Sequence, residues 1–345
     1  MIASYGRTWK ESRKAVGFYF HDFKTMEHLV KDQVDLTIEA IEMKSSKTRS
    51  ISSDDFLFGE PLVASIWSVI TKSPMNIEQN KKLSQNIYDF AQEFLSPLVQ
   101  VVQHNRALFY FSETIGLSHQ SKLHKQIENY IKEVVFDSKN KTEEESTIND
   151  QNLLWIYSEL LLVGSYSLWV HLQWGLICLI KNPMWQTILR KESKQESMPL
   201  TEAFVSEVLR TFVVESKGLS YPMLTTDDIK IQNYFLPKGT VIMHMLSEVM
   251  QDFQSFPDAK KFDPNRFVSI KADDGPEYTS HPRLIPFGVG KRKCIAENVA
   301  RMILRSFLSN LVERFEISSN EDIKVGFNDA AIAKPNSFNV FFKLI

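Results

Sequence analysis

A mainly α-helical fold is what this sequence predicts, and three observations carry it. Glycine and proline, which punctuate turn-rich chains, number only 12 and 13 in 345 residues. Apolar residues recur at helical spacing over long stretches. From Leu153 to Ile180 there is no Lys or Arg at all, a run far too long for a strand. By length that run is also a membrane-span candidate. Glu159, Ser165, Ser167, His171 and Gln173 interrupt it, and such groups are costly against lipid, so it reads as the core helix of a folded domain.

The elements follow in order. Residues 4–44 predict two helices, the first carrying Trp9 and Arg13 one turn apart. Residues 54–71 predict an apolar helix after Asp54 and Asp55, and Asn76 to Phe111 two more, broken near Pro97. Ser121 to Asp137 is amphipathic, and the polar run Ser138–Gln151 is a loop in which Asp150 caps the long helix that follows. Pro183 closes that region, and Glu202 to Phe212 is helical again. Asp228 to Ser247 reads as short strands around a Pro237-Lys-Gly239 turn. An irregular stretch runs to Pro286, a helix spans about Ile295 to Arg314, and Phe338–Ile345 is a strand. Residues 1–345 are expected to form one domain.

Composition excludes several classes. The 40 Lys and Arg nearly cancel the 42 Asp and Glu, so this is no nucleic-acid-binding polycation. Two cysteines, Cys178 and Cys294, are too few for a disulfide framework. Cys178, on the long helix, reads as a small core residue. His119 and His124 stand five apart, off the one-face spacing of a metal pair, and His171 reads as a core histidine. The sequon Asn140-Lys-Thr142 is of a length that chance supplies.

The chemistry concentrates in Phe287-Gly-Val-Gly290-Lys-Arg292-Lys-Cys294-Ile-Ala296. A solitary cysteine on a glycine-bearing turn before a helix suits a thiolate ligand, because backbone N–H groups of the turn can stabilise the anion. Gly290 lets the chain pass close under a flat cofactor, Arg292 supplies a charge for a carboxylate, and Phe287 can shield the sulfur. The bland reading is a buried cysteine at a loop–helix junction. Three further patterns accompany the loop: Glu207-Val-Leu-Arg210, Phe262-Asp-Pro-Asn-Arg266-Phe267, and Trp9-Lys-Glu-Ser-Arg13. Each alone is an ordinary surface pair or helix face.

Together these motifs resemble the cytochrome P450 family, whose loop runs Phe-x-x-Gly-x-Arg-x-Cys-x-Gly, with Ala296 here in the last glycine's place. The resemblance implies a helical prism with small β-sheets, binding haem b with Cys294 as the axial thiolate. It implies that Trp9, Arg13 and Arg292 hold propionates, and that Glu207, Arg210 and Arg266 form a structural network. On the long helix, Gly164 and Ser167 match the family's oxygen-site glycine and alcohol, while Tyr166 stands where the family has an acid, leaving proton delivery to a phenol. Met223 stands where many relatives place a propionate-binding His or Arg. By family position the pocket walls fall in Phe94–Leu117, Leu160–Ser167, Glu215–Leu224 and Asp329–Ser337.

The implied activity is a haem-thiolate monooxygenase that inserts one atom of O₂ into an apolar small molecule. NADPH–cytochrome P450 reductase supplies electrons, cytochrome b5 is a second implied partner, and the implied location is the endoplasmic reticulum membrane. Lys10, Lys14, Lys291 and Lys293 flank the thiolate loop as a docking patch for an acidic redox partner, against the default of solvated lysines. Two alternatives stay open: a haem-binding but catalytically impaired fragment, and a P450-fold peroxide isomerase or dehydratase that needs no reductase. A full-length microsomal relative is expected to carry roughly another hundred residues before the Trp9 helix. In their absence the strands near Thr240–Ser247 have a bare edge.

Overall fold

The computed structural model describes residues 6–20, 22–75, 77–94, 119–136, 149–213, 223–271, 275–323 and 334–345. Helices α1 (Gly6–Tyr19), α2 (Phe23–Ser45), α3 (Phe56–Thr71), α4 (Ile77–Phe94) and α5 (His119–Ile131) precede the long helix α6 (Asp150–Lys181). The second helix expected between Asn76 and Phe111, the sequon and most of the loop 138–151 lie outside the described residues.

Asn149, rather than Asp150, caps α6: its side chain accepts a hydrogen bond from the Asn152 N–H at 2.8 Å, and Asp150 is the first helical residue. A π-helical turn, Leu160–Gly164, interrupts α6 midway. Trp155 and Val163 on α6 are exposed, and Glu159, Ser167 and His171 are half-buried, so the accessible positions recur about every four residues. From Leu172 to Leu179 every residue is buried. A helix apolar on all sides belongs in a core or a membrane. Here α3, α7 (Pro183–Glu192), α8 (Pro199–Thr211) and α10 (Glu297–Arg314) pack around α6, which makes it the core helix the sequence predicts.

Pro183 stands just past the end of α6 at Lys181, as expected, and it also opens α7 from the first helical turn, where its missing N–H costs nothing. Pro199 opens α8 in the same way. The carboxylate of Glu192 accepts from the Leu200 and Thr201 N–H groups at 2.8 and 2.6 Å, an anion held at the positive end of α8. That contact fixes the helix bearing Glu207 and Arg210.

The sheets are small and separate. β1 (Ile51–Ser52), β9 (Asn339–Leu344) and β8 (Phe315–Ser318) form one antiparallel sheet in the order β1-β9-β8. β2 (Met223–Leu224) pairs with β5 (Val241–Ile242), and β3 (Ile229–Ile231) with β4 (Tyr234–Leu236). The turn at Pro237 leads from β4 to β5, with Gly239 at φ +85°. The stretch read as irregular holds a short helix α9 (Leu246–Met250) and a hairpin of β6 (Val268–Lys271) with β7 (Gly275–Tyr278). Val241 of β5, and Met243 and Met245 just beyond it, are exposed. The main core joins α2, α3, α6, α8 and α10, and a smaller one gathers Ala203, Met250, Phe256 and Phe267 near the end of α8.

Candidate haem-thiolate site

The loop before α10 is closed by its own backbone. The Cys294 N–H donates to the Phe287 carbonyl at 2.8 Å, and Gly288 and Lys293 donate to Ile285 and Gly290 at 2.9 and 3.1 Å. Gly290–Arg292 forms one 3₁₀ turn. Gly288 and Gly290 sit at φ +72° and +71°, a region costly to side-chain-bearing residues, and a β-carbon added at either meets nothing within 4 Å. The loop therefore turns sharply beside open space. Cys294 and Lys291 to Lys293 are exposed there, and Ala296 is the N-cap of α10.

Helix α1 comes to this loop from the far end of the chain. Arg13 donates to the Lys293 carbonyl at 2.6 Å. The Arg292 guanidinium lies 4.4 Å from the Trp9 ring centroid and that of Arg13 lies 5.8 Å away. Trp9, Arg13, Arg292 and Cys294 thus stand in one neighbourhood, with two cations and an indole beside an exposed thiol.

On the opposite side, Phe287 is packed on the main core, and the Arg301 guanidinium lies 5.5 Å from its ring centroid. Arg301 also meets Glu202 at 2.9 Å, the Ser206 hydroxyl at 2.9 Å and Glu297 at 3.3 Å. Glu297 in turn pairs with Lys293 at 2.5 Å. Sequence reasoning missed Arg301. Its i, i+4 spacing from Glu297 was a signal, but Glu202 and Ser206 are brought to it only by the packing of α8 on α10.

Glu207 and Arg210 are fully buried and joined by two hydrogen bonds of 2.6 and 2.8 Å. Arg210 also donates to the Met250 and Ala259 carbonyls, each at 2.8 Å. Arg266 reaches Glu207 at 3.4 Å and donates to the carbonyls of Pro257 and Asp258, so all three predicted members meet.

On α6, Gly164 lies against Ile66, and Ser167 donates to the Gly164 carbonyl at 3.1 Å. Tyr166 is rotated away from the accessible stripe: it is buried with its ring near Tyr88 and Trp169. Burial, with the nearby charge of Asp54, pushes its hydroxyl up to about 12. His171 faces the accessible side, its Nδ1 2.8 Å from the Ser167 carbonyl, and burial holds its pKa down at about 4 against that hydrogen bond. Cys178 is buried, which drives its thiol well above its ordinary value.

Of the expected pocket walls, residues 95–117, 215–222 and 329–333 lie outside the described residues. Met223 and Leu224 are exposed, and Lys334 is held by Asp54 at 2.6 Å against the Trp169 ring. Among the described residues no three His, Cys, Asp or Glu gather as a metal cluster.

A helical domain with small sheets, an exposed cysteine on a glycine turn and a cationic cluster beside it is an arrangement compatible with a haem-thiolate protein. The cytochrome P450 family pattern matches residues 1–340, and the chain belongs to that family. It is similar to cytochrome P450 2C20 of Macaca fascicularis, 26% identical over 387 residues that cover 99% of this chain and 77% of that protein. Cytochrome P450 2C8 of Homo sapiens is 26% identical with the same two coverages, and cytochrome P450 2H1 of Gallus gallus is 23% identical over 94% of this chain and 72% of its own length. The mainly helical architecture is the P450 fold, haem b is its cofactor, and the chain is an oxidoreductase of the P450 monooxygenase class. The residues fit that group in chemical type: an exposed thiol lies on a turn bordered by open space, and Arg13, Arg292 and Trp9 are donors of the kind its carboxylates require.

Proposed function

We propose that this protein oxidises an apolar small molecule with Cys294 as the haem thiolate, drawing NADPH electrons through a reductase at the endoplasmic reticulum membrane. The observation that carries the reading is the meeting of α1 with the loop: Arg13 grips the carbonyl next to Cys294, and Arg292 lies on Trp9. Bound haem b supplies the oxygen-activating iron, and a thiolate ligand pushes electron density onto it. The chain's own part is to present the thiolate and to anchor the cofactor's carboxylates. The closing bond from Cys294 to Phe287 fixes the sulfur's backbone, while Arg292 and Trp9 form the anchoring face. Gly164 and Ser167 serve the oxygen side, and Tyr166 acts as a packing residue rather than a proton donor.

Lys10, Lys14 and Lys291 remain for docking an acidic partner, with Lys293 partly neutralised by Glu297. A second reading, a peroxide isomerase or dehydratase needing no reductase, draws support from Tyr166: the position assigned to an acid holds a phenol turned into the core.

The deciding experiment is the absorption spectrum of the reduced, CO-bound protein beside Cys294→Ala. A thiolate-type Soret band lost completely in the variant is the expected result; an identical spectrum from both chains refutes the assignment. Product formation from a lipid hydroperoxide without NADPH would favour the second reading.

A further inference from the structure

We infer that Arg301 is the positioning residue of the thiolate loop, holding Phe287, and through it the Cys294 backbone, against α8. This rests on Cys294 being the haem ligand. Arg301 is nearly enclosed, with 13% of its side chain exposed, and its four neighbours come from three separate parts of the chain. Glu202 and Ser206 lie one turn apart on α8, Glu297 begins α10, and Phe287 opens the loop. Two carboxylates and a hydroxyl fix the plane of the guanidinium, and the ring of Phe287 rests on it. The Ser206 hydroxyl is itself fixed by Tyr278 of β7 at 2.9 Å.

The consequence lies in the next bond. Phe287 carries the carbonyl that accepts the Cys294 N–H at 2.8 Å, so any slip of Phe287 opens the loop at its closing bond. Glu297 extends the same control to the residue before the cysteine, because it bridges Arg301 and Lys293. From the other side Arg13 grips the Lys293 carbonyl. The loop is thus clamped at both ends, by α1 on the cysteine end and by Arg301 on the phenylalanine end. Without the Arg301 clamp the sulfur would lose its fixed backbone, and a bound haem would keep its thiolate ligand less firmly.

The test compares haem-loaded wild type, Arg301→Lys, Arg301→Met, Phe287→Leu and the double variant Arg301→Met/Phe287→Leu. Two quantities are read: the rate at which the ferrous–CO complex converts from thiolate to thiol form, and the thermal unfolding midpoint. The conversion rate should rise about tenfold or more in Arg301→Met, the loss of a charge-assisted clamp. Arg301→Lys should fall between that variant and wild type, and the double variant should convert no faster than either single, as two residues acting through one contact require. Variants with lowered midpoints but wild-type conversion rates would overturn the inference, leaving Arg301 as a mere tie between helices. Should Arg301→Met fail to hold haem, Glu202→Gln and Ser206→Ala loosen the clamp from α8, and unchanged conversion in both overturns it equally. A wild-type spectrum that matches Cys294→Ala sinks the thiolate assignment and this inference with it, whereas the other failures leave that assignment standing.

Discussion

Two charged sites lie along the same pair of helices and are built in opposite ways. At the end of α8, Glu207 and Arg210 are wholly enclosed, and three guanidinium nitrogens of Arg210 find carboxylate or carbonyl oxygens. At the start of α10, the residues from Lys291 to Cys294 are exposed, and the loop is held by its backbone and by side chains at its rim. A buried ion pair returns its desolvation cost only when the remaining lone pairs and protons are satisfied, and here they are. The open loop keeps its thiol and its cations outward, where a cofactor can use them. The closed site holds the structure, whereas the open site leaves Cys294 exposed.

Breaking the closed site should therefore have the largest effect on stability. Glu207→Ala leaves Arg210 buried without its carboxylate and should cost about 3–5 kcal/mol in urea unfolding. Cys294→Ala, at an exposed position, should change the same measurement by less than about 0.5 kcal/mol when both variants are compared as haem-free chains. If the two variants unfold alike, the division between a structural and a chemical site fails.

How much of this was legible in the sequence depends on distance along the chain. Helices α1 to α3, α6 and α10 follow from apolar periodicity, because burial of one face is written locally. Pro183 marks the end of α6 correctly, but proline also opens a helix from its first turn, and only the fold shows that α7 starts there. β6 and β7 are four residues each and carry too little alternation to stand out. Within the site, a helical wheel would have separated Ser167, on the stripe with Val163 and His171, from Tyr166, which faces Tyr88 and Trp169. The meeting of Trp9 with Arg292 came only from the resemblance. The cluster around Arg301 came from neither, since its partners on α8 lie nearly a hundred residues away.

His171 sharpens the comparison at a point between the extremes, half-buried and titratable. Burial lowers its folded pKa to about 4 from the ordinary 6.5. The native chain thus sheds a proton that the unfolded chain keeps, and stability rises with pH between those two values. Above pH 6.5 the group contributes nothing to the pH dependence, and below pH 4 the full penalty is present, on the order of 3 kcal/mol. His171→Gln should flatten that part of the profile measured by denaturant unfolding between pH 4 and 7. A slope equal to wild type would mean that other groups carry the acid sensitivity.

The smallest effect tests why each region keeps its glycines. In the core, a β-carbon on Gly175 would come within 2.9 Å of Leu308, so that glycine is a matter of space. In the loop, a β-carbon on Gly290 meets nothing, so only its φ of +71° is at stake. Gly290→Ala should therefore cost about 1–2 kcal/mol of left-handed strain without displacing a neighbour. Gly290→Asn, whose side chain tolerates that region, should recover part of the loss. Measured by thermal unfolding in the haem-free chain, equal costs for Ala and Asn would mean that the loop shifts its backbone freely. An Asn variant closer to wild type would mean that the turn is held in place before any cofactor binds, which is what the bond from Cys294 to Phe287 requires.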